Sequence, residues 1–206
     1  MKPLLILGVQ RSGTTLLASM LGRHPEISML FESTSKDVLK LIGKEYQGNK
    51  LCTWRQIRFS TKATKWGHFV NRLVNFHFIG SKYQVLRPYP TSQLSIKDYL
   101  EKGAILIHIR RDKESIVKSL VKRTPLTEKQ AVREFERASL ILDEINDQSI
   151  EVDFVDLVNK PKEIMLMLCD KLGIEFDERM MEGPKYNIIY PNSGFLKEKA
   201  ESKGRD

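Results

Sequence analysis

Apolar residues recur along this chain in two kinds of run. Short unbroken runs of strand length alternate with longer stretches whose apolar positions return every third or fourth residue. The first run, residues 4–9 (LLILGV), enters a tight turn between Gly8 and Gly13, then a helix over 14–23 that Pro25 stops. Residues 104–109 (AILIHI) form a β-branched run bounded by Gly103 and by Arg110-Arg111-Asp112, and a helix over 113–122 follows. A weaker strand is predicted at 75–80 (NFHFIG), and an alternating one at 150–155 (IEVDFV) suits a place near a sheet edge. Residues 127–146 carry Ala131, Phe135, Ala138, Leu142 and Ile145 as one apolar stripe, with Thr127 as its cap. A last helix spans 161–172, with Pro161 in its first turn and Gly173 as its stop. Strands separated by helices predict an α/β fold, three layers (α/β/α) around a central parallel sheet.

Neither a repeat nor a dividing linker interrupts this order, so the 206 residues are expected to form a single domain, 1–206. Residues 50–75 are basic and aromatic with poor periodicity, which fits a substrate-facing insertion or a solvated excursion. The polar run at 196–206 is expected to be a flexible tail. Hydrophobic residues at 41% and charged residues at 29% are those of an ordinary globular protein. The net charge of +8 points to an acidic ligand, whether nucleotide, acidic glycan or nucleic acid. No RNA-binding aromatic motif, zinc-finger spacing or basic heptad region supports nucleic acid. Cys52 and Cys169 stand far apart with no CxxC, and the four histidines lack ligand spacing, so neither a disulfide framework nor a metal is expected. The first apolar run is too short to span a membrane, and a cytoplasmic protein with free thiols is the simplest reading.

Two places carry chemistry. Gly8 to Gly13 has the G-x-x-x-x-G spacing of a P-loop, where backbone N–H groups and a helix dipole converge on an anion, so the fold is expected to be P-loop NTPase-like. Thr14-Thr15 stands where a nucleoside triphosphatase has Lys-Ser or Lys-Thr, which leaves Arg11 as the charge of the loop. The second place is Arg111 at the end of a strand, with Ser119 eight residues on. Two helical turns bring both to one crevice at the carboxyl edge of the sheet, suited to a terminal phosphate.

QRSGTTLL after a strand, followed by HPEISMLFE, resembles the 5′-phosphosulfate loop of sulfotransferases that use 3′-phosphoadenosine 5′-phosphosulfate (PAPS). Arg111-Asp112 with Ser119 resembles their 3′-phosphate site. Residues 152–178 resemble their late strand–helix segment, and 78–82 (FIGSK) their Gly-Asp-Lys segment. The resemblance implies sulfuryl transfer from PAPS to a hydroxyl acceptor, with 3′-phosphoadenosine 5′-phosphate (PAP) released and no metal. It implies that Arg11, Ser12, Gly13, Thr14 and Thr15 hold the 5′-phosphosulfate, Arg111 and Ser119 the 3′-phosphate, and Ser193 in PNSGF a further cofactor contact. It assigns Glu32 as general base, as in the tyrosylprotein and Golgi-type members, with Glu26 as fallback, and Lys82 as electrophile. It also leaves room for a chain cut from a longer, membrane-anchored enzyme. Three departures stand out: Gln10 and Lys113 where proline is frequent, no histidine base, and no glycine- and lysine-rich C-terminal loop. A carbohydrate, a small alcohol or phenol, a lipid headgroup and a tyrosine remain open as acceptors, and the oligomeric state is unread. A P-loop kinase for a nucleoside or metabolite and a non-catalytic PAP-binding protein are the alternatives.

Overall fold

In the computed structural model, which describes residues 1–40, 44–75 and 87–186, the first apolar run becomes the axis of the sheet. Strand β1 (Lys2–Gly8) pairs in parallel with β3 (Tyr46–Cys52) on one side and β4 (Ile105–Arg110) on the other. Strand β2 (Ile27–Phe31) lies outside β3, and β5 (Ser149–Asp153) outside β4, giving the order β2-β3-β1-β4-β5 with every pair parallel. Leu4, Leu5, Ile6 and Leu7 are wholly buried. A strand covered on both faces reads as a continuous apolar run, which is why this one was plain in the sequence.

The covering is two-sided. Helices α1 (Thr14–Leu21), α6 (Phe154–Asn159) and α7 (Pro161–Leu172) pack with Leu4, Ile6, Ile107 and Ile109 on one face. Helices α3 (Ile96–Glu101), α4 (Lys113–Arg123) and α5 (Glu128–Glu144) pack with Leu5, Leu7 and Leu106 on the other. This is the expected three-layer α/β/α arrangement. Caps set the helix starts. Thr127 and Gln130 form a capping box on α5, the Asp112 carboxylate accepts the Ser115 amide at 2.7 Å on α4, and Asp153 does the same for Val155 on α6. Gly173, at φ 73°, ends α7.

Some expectations need correction. Helix α1 stops at Leu21, with Gly22 as its cap, short of Arg23. Residue 75 closes helix α2 (Lys65–Asn75) instead of opening a strand, and 76–80 lie outside the described residues. The tail at 196–206 lies outside them as well. Strands β2 and β3 were not anticipated, and residues 50–52 belong to β3, not to an excursion. The polar groups of β3 hide it. Gln47, Asn49 and Lys50 are buried, and the Asn49 amide donates to the Tyr99 hydroxyl at 3.0 Å and the Ser33 carbonyl at 2.9 Å. The Tyr46 hydroxyl donates to the Leu172 carbonyl.

A 3-10 segment, Glu178–Tyr186, lies against α1 so closely that a Cβ on Gly183 would come within 2.4 Å of the Met20 Cα. Gly183→Ala is therefore expected to lower stability by about 1–3 kcal/mol, as overpacking does. Urea unfolding would show a reduced midpoint at unchanged slope, and an unchanged midpoint would contradict this packing.

Candidate functional site

Past β1 the chain turns sharply: the Ser12 amide donates to the Val9 carbonyl at 3.0 Å. The first bond of α1 is Leu17 N–H to the Gly13 carbonyl at 3.2 Å, and Gly13 offers no side chain to cap the amides before it. Those amides and the helix dipole face the loop. Gly13 has φ 104°, and a Cβ there would lie 2.4 Å from the Phe154 ring, so glycine is required twice over.

Onto this loop the fold brings two guanidinium groups. Arg11, itself at φ 79°, donates from Nε to the Ser119 hydroxyl at 3.0 Å. Arg111 donates from Nη1 to the Arg11 carbonyl at 3.3 Å and sits over the Phe154 ring, 4.2 Å from its centre. Among the described residues no carboxylate forms an ion pair with either arginine. Burial, then the neighbouring Arg11 charge, push Arg111 below the usual arginine range, and Asp112 opposes them. Ser12 Oγ and Arg111 Nε are buried with no hydrogen-bond partner among the described residues. Arg11, Ser12, Gly13, Thr14 and Thr15 thus meet Arg111 and Ser119 at the carboxyl ends of β1 and β4. Two cations without an ion pair among the described residues, a helix start and hydroxyls make a site for anions of high charge.

Glu32 stands elsewhere on the same edge, one residue past β2, at φ 56°. Its amide donates to the Lys50 carbonyl at 2.9 Å. Its carboxylate accepts from Lys50 Nζ at 2.5 Å and from the Gln56 amide at 2.8 Å. Burial pulls the Glu32 carboxyl upward, but Lys50 and Gln56, with Arg87 beyond, outweigh it and hold the group below its ordinary value. Lys50 is 2% exposed and was missed in the sequence. Its only signal was a strand alternation that the polar residues of β3 masked. Glu26 is exposed in the turn before β2. Lys82 and Ser193, with FIGSK and PNSGF, lie outside the described residues.

Beside Glu32 opens a cleft of about 380 Å³, lined also by Gln56, Asn71, Arg72, Arg87 and Thr91. The basic-aromatic stretch therefore divides. Its α2 end lines this cleft, while its start is tied to α5: the Trp54 ring lies between Arg58 and Arg137, 3.7 and 4.6 Å away, and Arg55 pairs with buried Glu134 at 3.0 Å.

Comparison with known proteins agrees with this arrangement. Residues 3–92, which hold the loop, Glu32, Lys50 and most of the cleft lining, match the model of the family described as "Sulfotransferase family". Mouse sulfotransferase SULT7A1, solved in complex with PAP, superposes with a TM-score of 0.54 at 14% identity, over 92% of this chain and 65% of that one. Residues 3–92 thus resemble that family, and the fold is that of a solved sulfotransferase. The sulfotransferase domain of the curacin biosynthetic pathway superposes with a TM-score of 0.48 at 16% identity, covering 89% of this chain and 78% of that one. That of the Synechococcus PCC 7002 olefin synthase gives 0.48 at 19%, covering 88% and 77%. No curated protein has a matching sequence.

The Lys50–Glu32 pair should govern an acid transition. The native carboxyl titrates below its ordinary 4.5, so the pair stabilises fully above that pH and loses its contribution as pH falls through the native value. In Lys50→Met only burial and weaker partners remain. Glu32 then titrates above 4.5, and its variant loses stability as pH rises through that raised value, with a deficit of about 2 kcal/mol or more at neutral pH. Urea midpoints measured from about pH 4 to pH 8 read both signs. Parallel curves for the two proteins would contradict the pairing.

Proposed function

We propose that the chain moves the sulfuryl group of PAPS to an acceptor hydroxyl by in-line transfer and releases PAP. The observation that carries this reading is the joining of Arg11 and Arg111 through Ser119 and the Arg11 carbonyl, with no carboxylate among the described residues in an ion pair with either. That leaves two guanidinium groups beside a helix start, which suits a ligand with two separate phosphates. The PAP in the mouse relative's structure supports it. PAPS supplies, when bound, a sulfuryl group on a phosphate leaving group.

The chain's own residues take defined parts. Arg11, the Ser12 hydroxyl, the Gly13 amide, and the Thr14 and Thr15 hydroxyls hold the 5′-phosphosulfate. Arg111, seated over the Phe154 ring, and Ser119 hold the 3′-phosphate. These side chains and amides provide the positive charge that the transition state needs, without a metal. Glu32 accepts the acceptor's proton. Its carboxylate is ionised and aimed by Lys50 and Gln56, which makes Lys50 a positioning residue. A depressed carboxyl is a weak base, which suits a loose transfer in which the hydroxyl gives up its proton late. Lys82 remains our proposed electrophile and Ser193 a cofactor contact, both on the strength of the family resemblance. No helix among the described residues is long and apolar enough to cross a membrane, and Cys52 and Cys169 are unpaired, which supports the cytoplasm as the proposed location.

Two variants test the assignment. Arg111→Ala should weaken PAP by about tenfold or more, while adenosine 5′-phosphosulfate, which lacks the 3′-phosphate, changes far less. Equal losses in calorimetry would remove Arg111 from that role. Glu32→Gln should lower transfer by about 10²–10⁴-fold with PAP affinity retained. Undiminished turnover would exclude Glu32 as the base.

A further inference from the structure

The cleft beside Glu32 has a composition that its proposed role alone does not require. Small-molecule sites are mostly apolar. Here the lining among the described residues is formed by polar and charged side chains: Thr34, Gln56, Asn71, Asn75 and Thr91 are neutral and polar, His68 adds an imidazole ring, and Arg72 and Arg87 are cations beside Glu32. Thr91 Oγ1 and Asn75 Oδ1 are buried with no hydrogen-bond partner among the described residues, although both residues line the cleft. A hydroxyl and an amide oxygen left in that state are matched by a ligand rich in hydroxyl groups.

The charge is also unbalanced. Glu32 has both carboxylate oxygens engaged, one by Lys50 and one by Gln56, and among the described residues it forms no ion pair with either arginine of the cleft, although its charge favours the Arg87 cation. Arg87 is half-buried, and among the described residues it forms no ion pair. Burial, followed by the Arg55 charge, disfavours its cation, with Glu32 opposing. A partly desolvated guanidinium facing a cleft is satisfied by an anion that enters with the ligand, which it can grip with two parallel bonds. The anion is not the donor's: none of residues 10–15, Arg111 or Ser119 lines this cleft.

We infer that the cleft takes a hydrophilic acceptor with its own anionic group, an acidic sugar, holding the anion at Arg87 and presenting a hydroxyl to Glu32. The inference rests on the sulfotransferase reading above and narrows it. A volume of about 380 Å³ lies at the small end of ligand sites, the size of one or two sugar rings.

The test ranks methyl β-glucuronide, methyl β-glucoside and 4-nitrophenol as acceptors with radiolabelled PAPS, beside calorimetric titration with PAP. The glucuronide should exceed the glucoside in kcat/KM by about tenfold or more, as one charge-assisted fork provides, and added salt should erode the difference. Arg87→Gln should lower the glucuronide's kcat/KM about tenfold more than the glucoside's, and Arg87→Lys should restore part of it. The wild-type ranking and its salt dependence decide the matter even if a variant fails to fold. A protein that binds PAP but prefers the glucoside or the phenol, or turns over no acidic acceptor, overturns the acidic-sugar assignment alone. So does an Arg87→Gln loss equal for both sugars. A protein that does not bind PAP fails the sulfotransferase reading itself, and this inference with it.

Discussion

Parallel pairing of β1 with a strand on either side is the constraint from which the site follows. Gly8 is level with Cys52 on one side and Ile109 on the other, so the loops after β1, β3 and β4 leave the sheet flush. Strand order reverses at β1, and such a reversal opens a crevice between diverging loops. Each strand sends one group to that edge: Arg11 after β1, Glu32 after β2, Gln56 after β3, Arg111 after β4 and Phe154 after β5. Buried leucine and isoleucine hold the strands. The chemistry hangs from their ends.

At those ends the chain accepts what a fold built for stability alone would avoid. The three non-glycine residues described with left-handed backbone, Arg11, Glu32 and Trp54, sit just past β1, β2 and β3. Such conformations persist only where their surroundings enforce them. Trp54 is enforced by two guanidinium groups and Glu134, Glu32 by Lys50 and Gln56, and Arg11 by Ser119 and Arg111. The electrostatics differ accordingly. The Arg55–Glu134 and Lys50–Glu32 pairs are compensated charges that fix loops, whereas Arg11 and Arg111 form no ion pair among the described residues and are suited to a bound anion.

How far the sequence could be read follows from the same physics. Strands β1 and β4, covered on both faces, appear as unbroken apolar runs, and α5 and α7 carry stripes and caps that placed them within a residue or two. The anion loop and the Arg111–Ser119 spacing were equally plain, because backbone geometry and helix pitch fix such distances locally. Strand β3 was not. Its burial is satisfied by side-chain hydrogen bonds to Tyr99 and Glu32, partners remote in sequence, and hydropathy cannot register a polar strand made internal by them. Lys50 was lost with it, and so was the cleft, whose walls come from segments that no periodicity connects.

The central claim is that this anion site is built for two separate phosphates, not a triphosphate with its metal. Calorimetric titration of the whole chain with PAP, beside ATP–Mg²⁺ and adenosine 5′-monophosphate, addresses it most directly. The account predicts micromolar binding of PAP and little response to the other two. Preference for ATP–Mg²⁺ would contradict it and assign the loop to phosphoryl transfer.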